Sequence, residues 1–368
     1  MTAIDSPIVL AGGGTGGHVF PLLALAQSFA KYVGRDRLVC VGTERGLEAK
    51  VIPENHFSLR VLKIEPIKGR TIYGTMRGAM VAGVSVVQSV SLLRKLRPAV
   101  VVSVGGYAAG PVSLAASILR VPLYLLEPNR IFGLTQRLLR PLAHRVFVGF
   151  PESVQSARDK HLGIPLRDGF QPISARVRDS QSPLRVLVMG GSQGAEFLNQ
   201  QVPVALTTVG ETRAIEVVHQ TGKGREQDVR DRYANLIEKG VSVEVMPFLS
   251  DVPVRLAHCD LLIARAGAMT IAEACAVGRP MLLVPYPFAA DDHQAHNAKS
   301  IELAGAGLSL IQAGLTADRI AQQVARIADD EPLRQAMCRA AAARGVAQSA
   351  DLIAQQVLAD LRAQKAVR

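Results

Sequence analysis

The fold is decided by the segment Ile8-Val-Leu-Ala-Gly-Gly-Gly-Thr-Gly-Gly-His-Val-Phe-Pro-Leu-Leu-Ala-Leu-Ala26. It begins with a short apolar run, continues through a glycine loop and ends with the apolar spacing of a helix. In a strand, glycine loop and helix arranged in this order, backbone amides at the start of the helix can approach a phosphate group. The segment therefore predicts the first unit of a parallel α/β sheet.

The same unit returns roughly 180 residues later, where Arg185-Val-Leu-Val-Met189 leads into Gly190-Gly-Ser-Gln-Gly-Ala195. Further apolar runs of strand length occur at residues 38–41, 100–104, 123–126, 241–245, 261–263 and 281–284. The linker is expected near Gly163-Ile-Pro-Leu-Arg167 or in residues 168–183, where Pro, Ser, Asp and Gln replace such runs. We predict two α/β domains, residues 1–165 and 166–340, and a C-terminal helix of about residues 341–368 that packs back on the first domain.

The composition of the 368-residue chain excludes a disordered protein, because 48% of its residues are hydrophobic and 20% are charged. The four cysteines are far apart and form no CxxC pair, which favours reduced thiols over a disulfide framework or a zinc site. The apolar run at residues 78–93 is too short to span a membrane, and the N-terminus lacks the pattern of a signal peptide.

The net charge of +11 lies entirely in residues 1–165, which carry 20 basic and 9 acidic side chains. Such an excess attracts nucleic acid or an anionic membrane surface. Aromatic residues are only 4% of the chain and tryptophan is absent, so we favour the membrane and predict no nucleic-acid partner. Basic residues bracket the apolar stretch 72–93, which is either a membrane-facing surface or an internal helix with solvated ends.

Two more loops follow predicted strands and are expected at the same edge of their sheets, Gly105-Gly-Tyr-Ala-Ala-Gly110 and Arg265-Ala-Gly-Ala-Met-Thr-Ile-Ala-Glu273. His18 is a candidate general base or a helix cap. Glu273 is a candidate ribose ligand or an acid in a first helical turn. Asp291-Asp292-His293 contains a single histidine, which argues against a stable zinc site.

Over about residues 10–300 the chain resembles the MurG family of N-acetylglucosaminyltransferases. The motifs that carry the resemblance are Gly12 to Pro21, Gly105 to Tyr107, Gly190 to Ala195, Arg265 to Glu273, and Asp292-His-Gln294 with Asn297. The resemblance implies a GT-B fold, in which two doubly wound Rossmann-like domains face each other across a cleft. It implies inverting transfer of N-acetylglucosamine from UDP-N-acetylglucosamine to the C4 hydroxyl of undecaprenyl-pyrophosphoryl-N-acetylmuramoyl-pentapeptide (lipid I), which gives lipid II and UDP.

The resemblance also implies roles for individual residues. His18 is the candidate catalytic base. The implied donor-binding residues are Thr15, Gly16, Gly17, Asn129, Arg167, Ser192, Leu249, Ala268, Met269, Thr270, Glu273, His293 and Gln294. The implied acceptor-binding residues are Gly13, Gly14, Gly105, Gly106 and Tyr107. No metal or cofactor is expected. We expect a peripheral location at the cytoplasmic face of the plasma membrane and membership of a cell-wall synthesis complex.

Three alternatives remain at the level of sequence. The first is another GT-B enzyme of UDP-sugars, such as a UDP-N-acetylglucosamine epimerase. The second is an NAD-dependent oxidoreductase, since Gly12, Gly14 and Gly17 satisfy G-x-G-x-x-G, although the acid Glu44 lies farther along than the usual ~20 residues. The third is a basic binding protein without enzymic activity, which would leave His18 and Glu273 without a role.

Overall fold

The computed structural model describes residues 6–62, 72–106, 108–174, 176, 182–191 and 193–366, with the backbone alone for 72–82, 365 and 366. The chain divides into two units. The first comprises residues 1–168 and 348–368, and the second comprises residues 169–347.

The first unit contains a parallel sheet of seven strands. They are β1 (Ile8–Gly12), β2 (Leu38–Thr43), β3 (Ser58–Leu62), β4 (Val100–Gly105), β5 (Leu123–Glu127), β6 (Arg145–Val148) and β7 (Asp159–His161). Their order across the sheet is β3-β2-β1-β4-β5-β6-β7, so the chain starts in the interior and winds outward in both directions. Five helices connect them: α1 (Gly16–Val33), α2 (Glu48–Glu54), α3 (Ile72–Leu96), α4 (Ala109–Ile118) and α5 (Leu134–Leu139). Short 3-10 turns lie at Arg35–Arg37, Arg140–Leu142 and Pro151–Ser153.

Both faces of this sheet are buried, which explains why its central strands are continuously apolar. Ile8 and Leu10 point to the face covered by α1 and α2. Val9 and Ala11 point to the opposite face, where α3, α4 and α5 pack. The doubly wound arrangement places every strand-to-helix loop of the unit at the carboxyl edge of the sheet.

The second unit repeats this plan. Its strands are β8 (Leu184–Met189), β9 (Ile215–Gln220), β10 (Val243–Met246), β11 (Leu261–Ala264), β12 (Met281–Leu283) and β13 (Gly307–Ser309). All pairings are parallel, in the order β10-β9-β8-β11-β12-β13. Its helices are α6 (Glu196–Gly210), α7 (Glu226–Arg232), α8 (Ala234–Glu238), α9 (Val252–His258), α10 (Ala268–Val277), α11 (His293–Leu303), α12 (Ala317–Asp329) and α13 (Glu331–Arg344), with a 3-10 turn at Ala290–Asp292. The predicted fold, two doubly wound Rossmann-like domains, is therefore confirmed.

The last helix, α14 (Ser349–Ala366), belongs to the first unit and packs against α1. Asp360 on α14 accepts hydrogen bonds from Tyr124 Oη at 3.2 Å and Arg145 Nε at 2.9 Å. Asp351, the third residue of α14, accepts a hydrogen bond from Ser28 Oγ at 2.5 Å. The helix is thus anchored by one carboxylate in its first turn and another in its C-terminal half, and it covers the same face of the sheet as α1.

Two further observations concern the described residues as a whole. No helix among them is long and apolar enough to cross a membrane. The four cysteines are unpaired and buried, and burial raises the pKa of Cys40, Cys259 and Cys275 to about 12.

Candidate functional site

Two glycine loops meet at the carboxyl edge of the first sheet. Gly12 ends β1 and pairs with Gly105 at the end of β4 after a register shift. A Cβ atom built on Gly106 would lie 2.0 Å from the carbonyl oxygen of Gly13, and Gly106 has a φ of +91°. Only glycine permits this approach of the two backbones. The structure therefore brings Gly13, Gly14, Gly105 and Gly106 into one cluster, in which Gly13 is buried and the other three are half-buried.

His18 lies at the junction of these two loops. It occupies the first turn of α1, where its backbone N–H donates to Thr15 O at 3.0 Å. Its half-buried ring lies against Gly105, because a Cβ atom there would be 2.8 Å from Cδ2 and 3.0 Å from Nε2. Thr15 is the N-cap residue of α1 but its side chain makes no capping hydrogen bond. The first amides of α1, at Gly16 and Gly17, lie beside the imidazole and are oriented for an anion.

Asn129 follows β5 and is held by a buried carboxylate. Glu127 accepts hydrogen bonds from Asn129 N at 2.9 Å, Asn129 Nδ2 at 3.3 Å and Gly133 N at 3.1 Å. Burial raises the pKa of Glu127 to about 7, and these hydrogen bonds from Asn129 and Gly133 oppose the shift. The amide of Asn129 is therefore oriented by Glu127 at the carboxyl edge of the sheet.

Arg167 lies beside the first helix. Its guanidinium carbon is 4.5 Å from the centre of the Phe20 ring, a cation–π contact with the first turns of α1. Five residues that the sequence assigned to the donor therefore lie in the first unit together with the residues assigned to the acceptor. They are Thr15, Gly16, Gly17, Asn129 and Arg167.

The second unit has its own pair of contacting loops, after β8 and β9. A Cβ atom on Gly194 would lie 1.9 Å from Thr221 O, and one on Gly222 would lie 2.4 Å from Gln193 O. Asn199 of α6 fixes this junction by donating to Thr221 O at 2.9 Å. The described part of the loop thus presents backbone at the carboxyl edge of the second sheet, as the corresponding loop does in the first.

A buried histidine supports Asn199. His219 Nε2 lies 3.2 Å from Asn199 Oδ1, and His219 Nδ1 lies 3.0 Å from Tyr233 Oη. Burial lowers the pKa of His219 to about 3, so the imidazole is neutral at physiological pH. A neutral ring donates through one nitrogen and accepts through the other, which suits its position between an amide oxygen and a hydroxyl group.

The helix α10 begins at the loop after β11. Gly267 is its N-cap, and Ala268, Met269 and Thr270 form its first turn. Asn297 of α11 holds the loop by donating from Nδ2 to Ala266 O at 3.1 Å. Glu273 is the sixth residue of α10 and is only 8% exposed. The interpretation of Glu273 as an acid of the first helical turn is therefore wrong, because the carboxylate lies beyond the turn where helix-start amides are exposed.

His293 and Gln294 open α11. Gln294 Oε1 accepts a hydrogen bond from Tyr286 N at 3.0 Å, which leaves its amide nitrogen as the group that can donate to a ligand. His293 Nδ1 lies 2.8 Å from Ala290 O and acts as the donor there, since a carbonyl only accepts. Its Nε2 is consequently an acceptor whenever the ring is neutral.

Arg265 links this region to the loop after β12. Its Nη1 donates to Val284 O at 3.1 Å and to Pro285 O at 3.2 Å, and its guanidinium lies 5.6 Å from the centre of the Tyr286 ring. Leu249, after β10, is only 3% exposed.

Two predicted residues, Tyr107 and Ser192, lie outside the described residues. Within the described part of the chain, no group of three or more His, Cys, Asp or Glu side chains is arranged to hold a metal ion.

Sequence reasoning missed the residues that hold these loops in place. Glu127, Asn199 and His219 are buried and bind backbone or amide groups of predicted loops. Each of these residues lies between 2 and 22 positions from its partner along the chain. These separations match neither the helix nor the strand periodicity. The one available signal was a polar residue within an apolar run, as His219 is in Ile215–Gln220.

Two Rossmann-like units, each with paired glycine loops at the carboxyl edge of a parallel sheet, define the class of GT-B enzymes. The glycosyltransferase family 28 N-terminal domain matches residues 8–148, and the family 28 C-terminal domain matches residues 185–356. The chain belongs to this family and, within it, to the MurG transferases that the sequence motifs resemble.

A relative and a solved structure support this membership. The "UDP-N-acetylglucosamine--N-acetylmuramyl-(pentapeptide) pyrophosphoryl-undecaprenol N-acetylglucosamine transferase" of Sorangium cellulosum (strain So ce56) is 45% identical over 363 residues, 97% of this chain and 89% of that protein. The crystal structure of Acinetobacter baumannii MurG has a TM-score of 0.80 at 26% identity and covers 96% of this chain and 99% of that one.

The epimerase alternative shares the fold alone. The crystal structure of a putative UDP-N-acetylglucosamine 2-epimerase from Listeria monocytogenes has a TM-score of 0.70, with 99% of this chain and 98% of that chain covered, but an identity of 15%. Because family membership makes this chain a glycosyltransferase, the oxidoreductase and the binding protein without activity are both excluded.

Proposed function

We infer that the protein transfers N-acetylglucosamine from UDP-N-acetylglucosamine to lipid I and releases lipid II and UDP. The observation that carries this function is the identity of 45% to a transferase of that name over 97% of the chain. The paired glycine loops in both units support it, because each substrate carries a diphosphate that backbone amides at a sheet edge can bind.

The second unit is the proposed site of the donor. The amides of the loop after β8 and of the first turn of α10, at Ala268, Met269 and Thr270, would bind the diphosphate and neighbouring groups of UDP. Ser192 is proposed in the same loop. Glu273 would accept hydrogen bonds from ribose hydroxyls, and the backbone of Leu249 is proposed to contact the uracil ring.

The sugar of the donor is the proposed ligand of His293 and Gln294. The amide nitrogen of Gln294 would donate to a sugar hydroxyl, since its oxygen is already bound to Tyr286 N. The Nε2 atom of His293 would accept from another hydroxyl, since its Nδ1 donates to Ala290 O. Thr15, Gly16, Gly17, Asn129 and Arg167 are proposed as the contribution of the first unit to donor binding.

The first unit is the proposed site of the acceptor, with Gly13, Gly14, Gly105, Gly106 and Tyr107 near its pyrophosphate. His18 would accept the proton of the C4 hydroxyl as the oxygen attacks the anomeric carbon of the donor. The bond between that carbon and the β-phosphate oxygen breaks, and its electron pair leaves with UDP. Attack from the face opposite the departing phosphate inverts the anomeric centre.

An apolar and basic surface of the first unit is the proposed contact with the membrane. On the face of the sheet covered by α3, α4 and α5, several large apolar side chains are exposed. They are Val84, Val87, Leu114, Ile118, Leu134, Leu138 and Leu142. Exposed basic residues lie on the same helices or at their ends, namely Arg94, Lys95, Arg97, Arg120 and Arg137.

Apolar burial and attraction of basic side chains to anionic headgroups add together at a bilayer surface. The acceptor carries an undecaprenyl chain, so an enzyme held at the bilayer would meet it there. We propose a peripheral location at the cytoplasmic leaflet on these grounds, and participation in a cell-wall synthesis complex as a consequence of the reaction.

The test of the function is transfer of radiolabelled N-acetylglucosamine from its UDP conjugate to a lipid I analogue with a short isoprenoid chain, in the presence of EDTA. We expect label in a lipid product only when the acceptor is present. Release of UDP without acceptor, or an epimerised sugar in the medium, would instead assign the chain to another class of UDP-sugar enzyme.

A further inference from the structure

A buried carboxylate beneath the first glycine loop has no part in the reaction described above. Glu48 is the first residue of α2 and is fully buried in the first unit. Its Oε2 atom accepts a hydrogen bond from Gly14 N at 2.8 Å. Its Oε1 atom accepts from Thr43 N and from Thr43 Oγ1, both at 2.8 Å. One side chain thus connects the loop after β1 to the end of β2.

The backbone around Glu48 is shaped to admit this carboxylate. A Cβ atom built on Gly13 would lie 2.2 Å from Glu48 Oε1, and one built on Gly46 would lie 2.0 Å from Oε2. A Cβ atom on Gly42 would lie 2.5 Å from the Glu48 Cγ atom. The same side chain therefore requires glycine at three positions, in the loop after β1, in β2 and in the loop after β2. The need for glycine at position 13 arises from the protein interior as well as from a ligand.

The hydrogen bond to Gly14 fixes the direction of one amide in the loop. Because Gly14 N points inward to Glu48, the peptide between Gly13 and Gly14 cannot rotate freely. The carbonyl oxygen of Gly13 faces Gly106 on the other side, at the point where the two glycine loops meet. The same peptide is therefore held by Glu48 through its N–H group and faces the second loop through its oxygen.

We propose that Glu48 is a positioning residue for acceptor binding. Its carboxylate holds the Gly13–Gly14 peptide so that the two glycine loops of the first unit keep the shape that receives the pyrophosphate of the acceptor. This proposal rests on the assignment of the acceptor to the first unit. It assigns to Glu48 no contact with either substrate.

The substitution Glu48→Gln tests the proposal with little change in volume. A carboxylate accepts through two oxygens, whereas the amide group of glutamine has one oxygen and one nitrogen. The nitrogen must therefore face either Gly14 N–H or Thr43 N–H, and two donors cannot form a hydrogen bond with each other. The matched control is Asp159→Asn. Asp159 is also a buried carboxylate of the first unit, but it lies on the edge strand β7. Its Oδ2 atom accepts from Gln155 N and Ser156 N at 2.8 Å and from Arg140 Nη2 at 2.5 Å.

We expect Glu48→Gln to raise the KM for a short-chain lipid I analogue at least tenfold, while the dissociation constant for UDP changes less than twofold. We expect Asp159→Asn to keep the acceptor KM within about threefold of the wild type. Equal losses of acceptor affinity in both variants, or wild-type kinetics for Glu48→Gln, would overturn the proposal.

A measurement on the unaltered protein covers the case in which Glu48→Gln does not fold. Hydrogen exchange of the Gly14 amide is expected to be slow, as in the neighbouring strand, although Gly14 lies in a loop. Exchange at the rate of an unprotected amide would refute the proposal. Absence of acceptor-dependent transfer by the wild-type enzyme would refute the proposed function instead, so the two failures are distinguishable.

Discussion

The contact between the two glycine loops of the first unit should control turnover, and Gly106→Ala perturbs it most directly. The new Cβ atom would lie 2.0 Å from Gly13 O, whereas ordinary contact begins at 3.4 Å, so the loops must separate by more than 1 Å. The φ of +91° adds about 1–2 kcal/mol of backbone strain for a residue other than glycine. A displacement of roughly 1 Å in a positioned site lowers the rate by about 100-fold.

The appropriate control is Gly34→Ala. Gly34 has a similar φ of +82°, but no atom lies within 4 Å of the position of its Cβ. This variant therefore carries comparable backbone strain without displacing a loop. We expect kcat/KM for the lipid I analogue to fall by about 100-fold in Gly106→Ala and by less than threefold in Gly34→Ala, with UDP binding unchanged in both. Equal activities of the two variants would refute the reasoning from loop geometry.

Three further predictions concern other parts of the molecule. Burial raises the pKa of Glu127 to about 7, so its contribution to stability is present at low pH and is lost as pH rises through that value. Between about pH 5 and pH 8, the free energy of unfolding in urea should fall by up to about 3 kcal/mol more for the wild type than for Glu127→Gln. The same pH dependence of unfolding free energy in both proteins would contradict this. Asn199→Ala leaves Thr221 O and His219 without their partner, which costs about 1–3 kcal/mol, and calorimetry should show UDP binding weakened about tenfold. Leu138→Glu should weaken binding to anionic vesicles about tenfold, whereas Val204→Glu, at an exposed apolar position of the second unit, should not. Equal effects of these two substitutions, or wild-type binding to neutral vesicles that resists high salt, would argue against the proposed membrane surface.

The parallel sheets could be predicted because their interior strands are continuously apolar and each glycine loop follows such a strand. The two edge strands of the first sheet could not be predicted in this way. Ser58–Leu62 is largely exposed and Asp159–His161 consists of three polar residues, so neither has the apolar run of a buried strand. Edge strands have a sheet neighbour on one side only, and their sequences are correspondingly less constrained.

The Ala-rich stretch 315–361 shows that the boundaries between consecutive helices are also difficult to predict from sequence. Its composition predicts mostly helix, and the structure divides it into three helices. The first break has a local cause, since Asp330 caps α13 by accepting from Leu333 N at 2.8 Å and Pro332 follows it. The second break precedes α14, which belongs to the first unit and packs against α1.

The loops of the candidate site were predictable from their glycines, but the side chains that support them were not. Glu48 binds Gly14, 34 residues earlier, and this pairing depends on the adjacency of β1 and β2 in the sheet. Sequence spacing carries no information on such a contact. The resemblance to a family located the residues proposed to contact substrate, whereas the structure located the residues that hold them.

The central claim is that the second unit binds the donor while His18 of the first unit accepts the proton of the acceptor. The most direct measurement compares His18→Ala and Glu273→Gln in two assays, calorimetric binding of UDP-N-acetylglucosamine and single-turnover transfer to the lipid I analogue. For His18→Ala we expect donor affinity within twofold of the wild type and transfer at least 100-fold slower. For Glu273→Gln we expect donor affinity at least tenfold weaker. Equal weakening of donor binding in both variants, with transfer by His18→Ala restored at saturating donor, would contradict it.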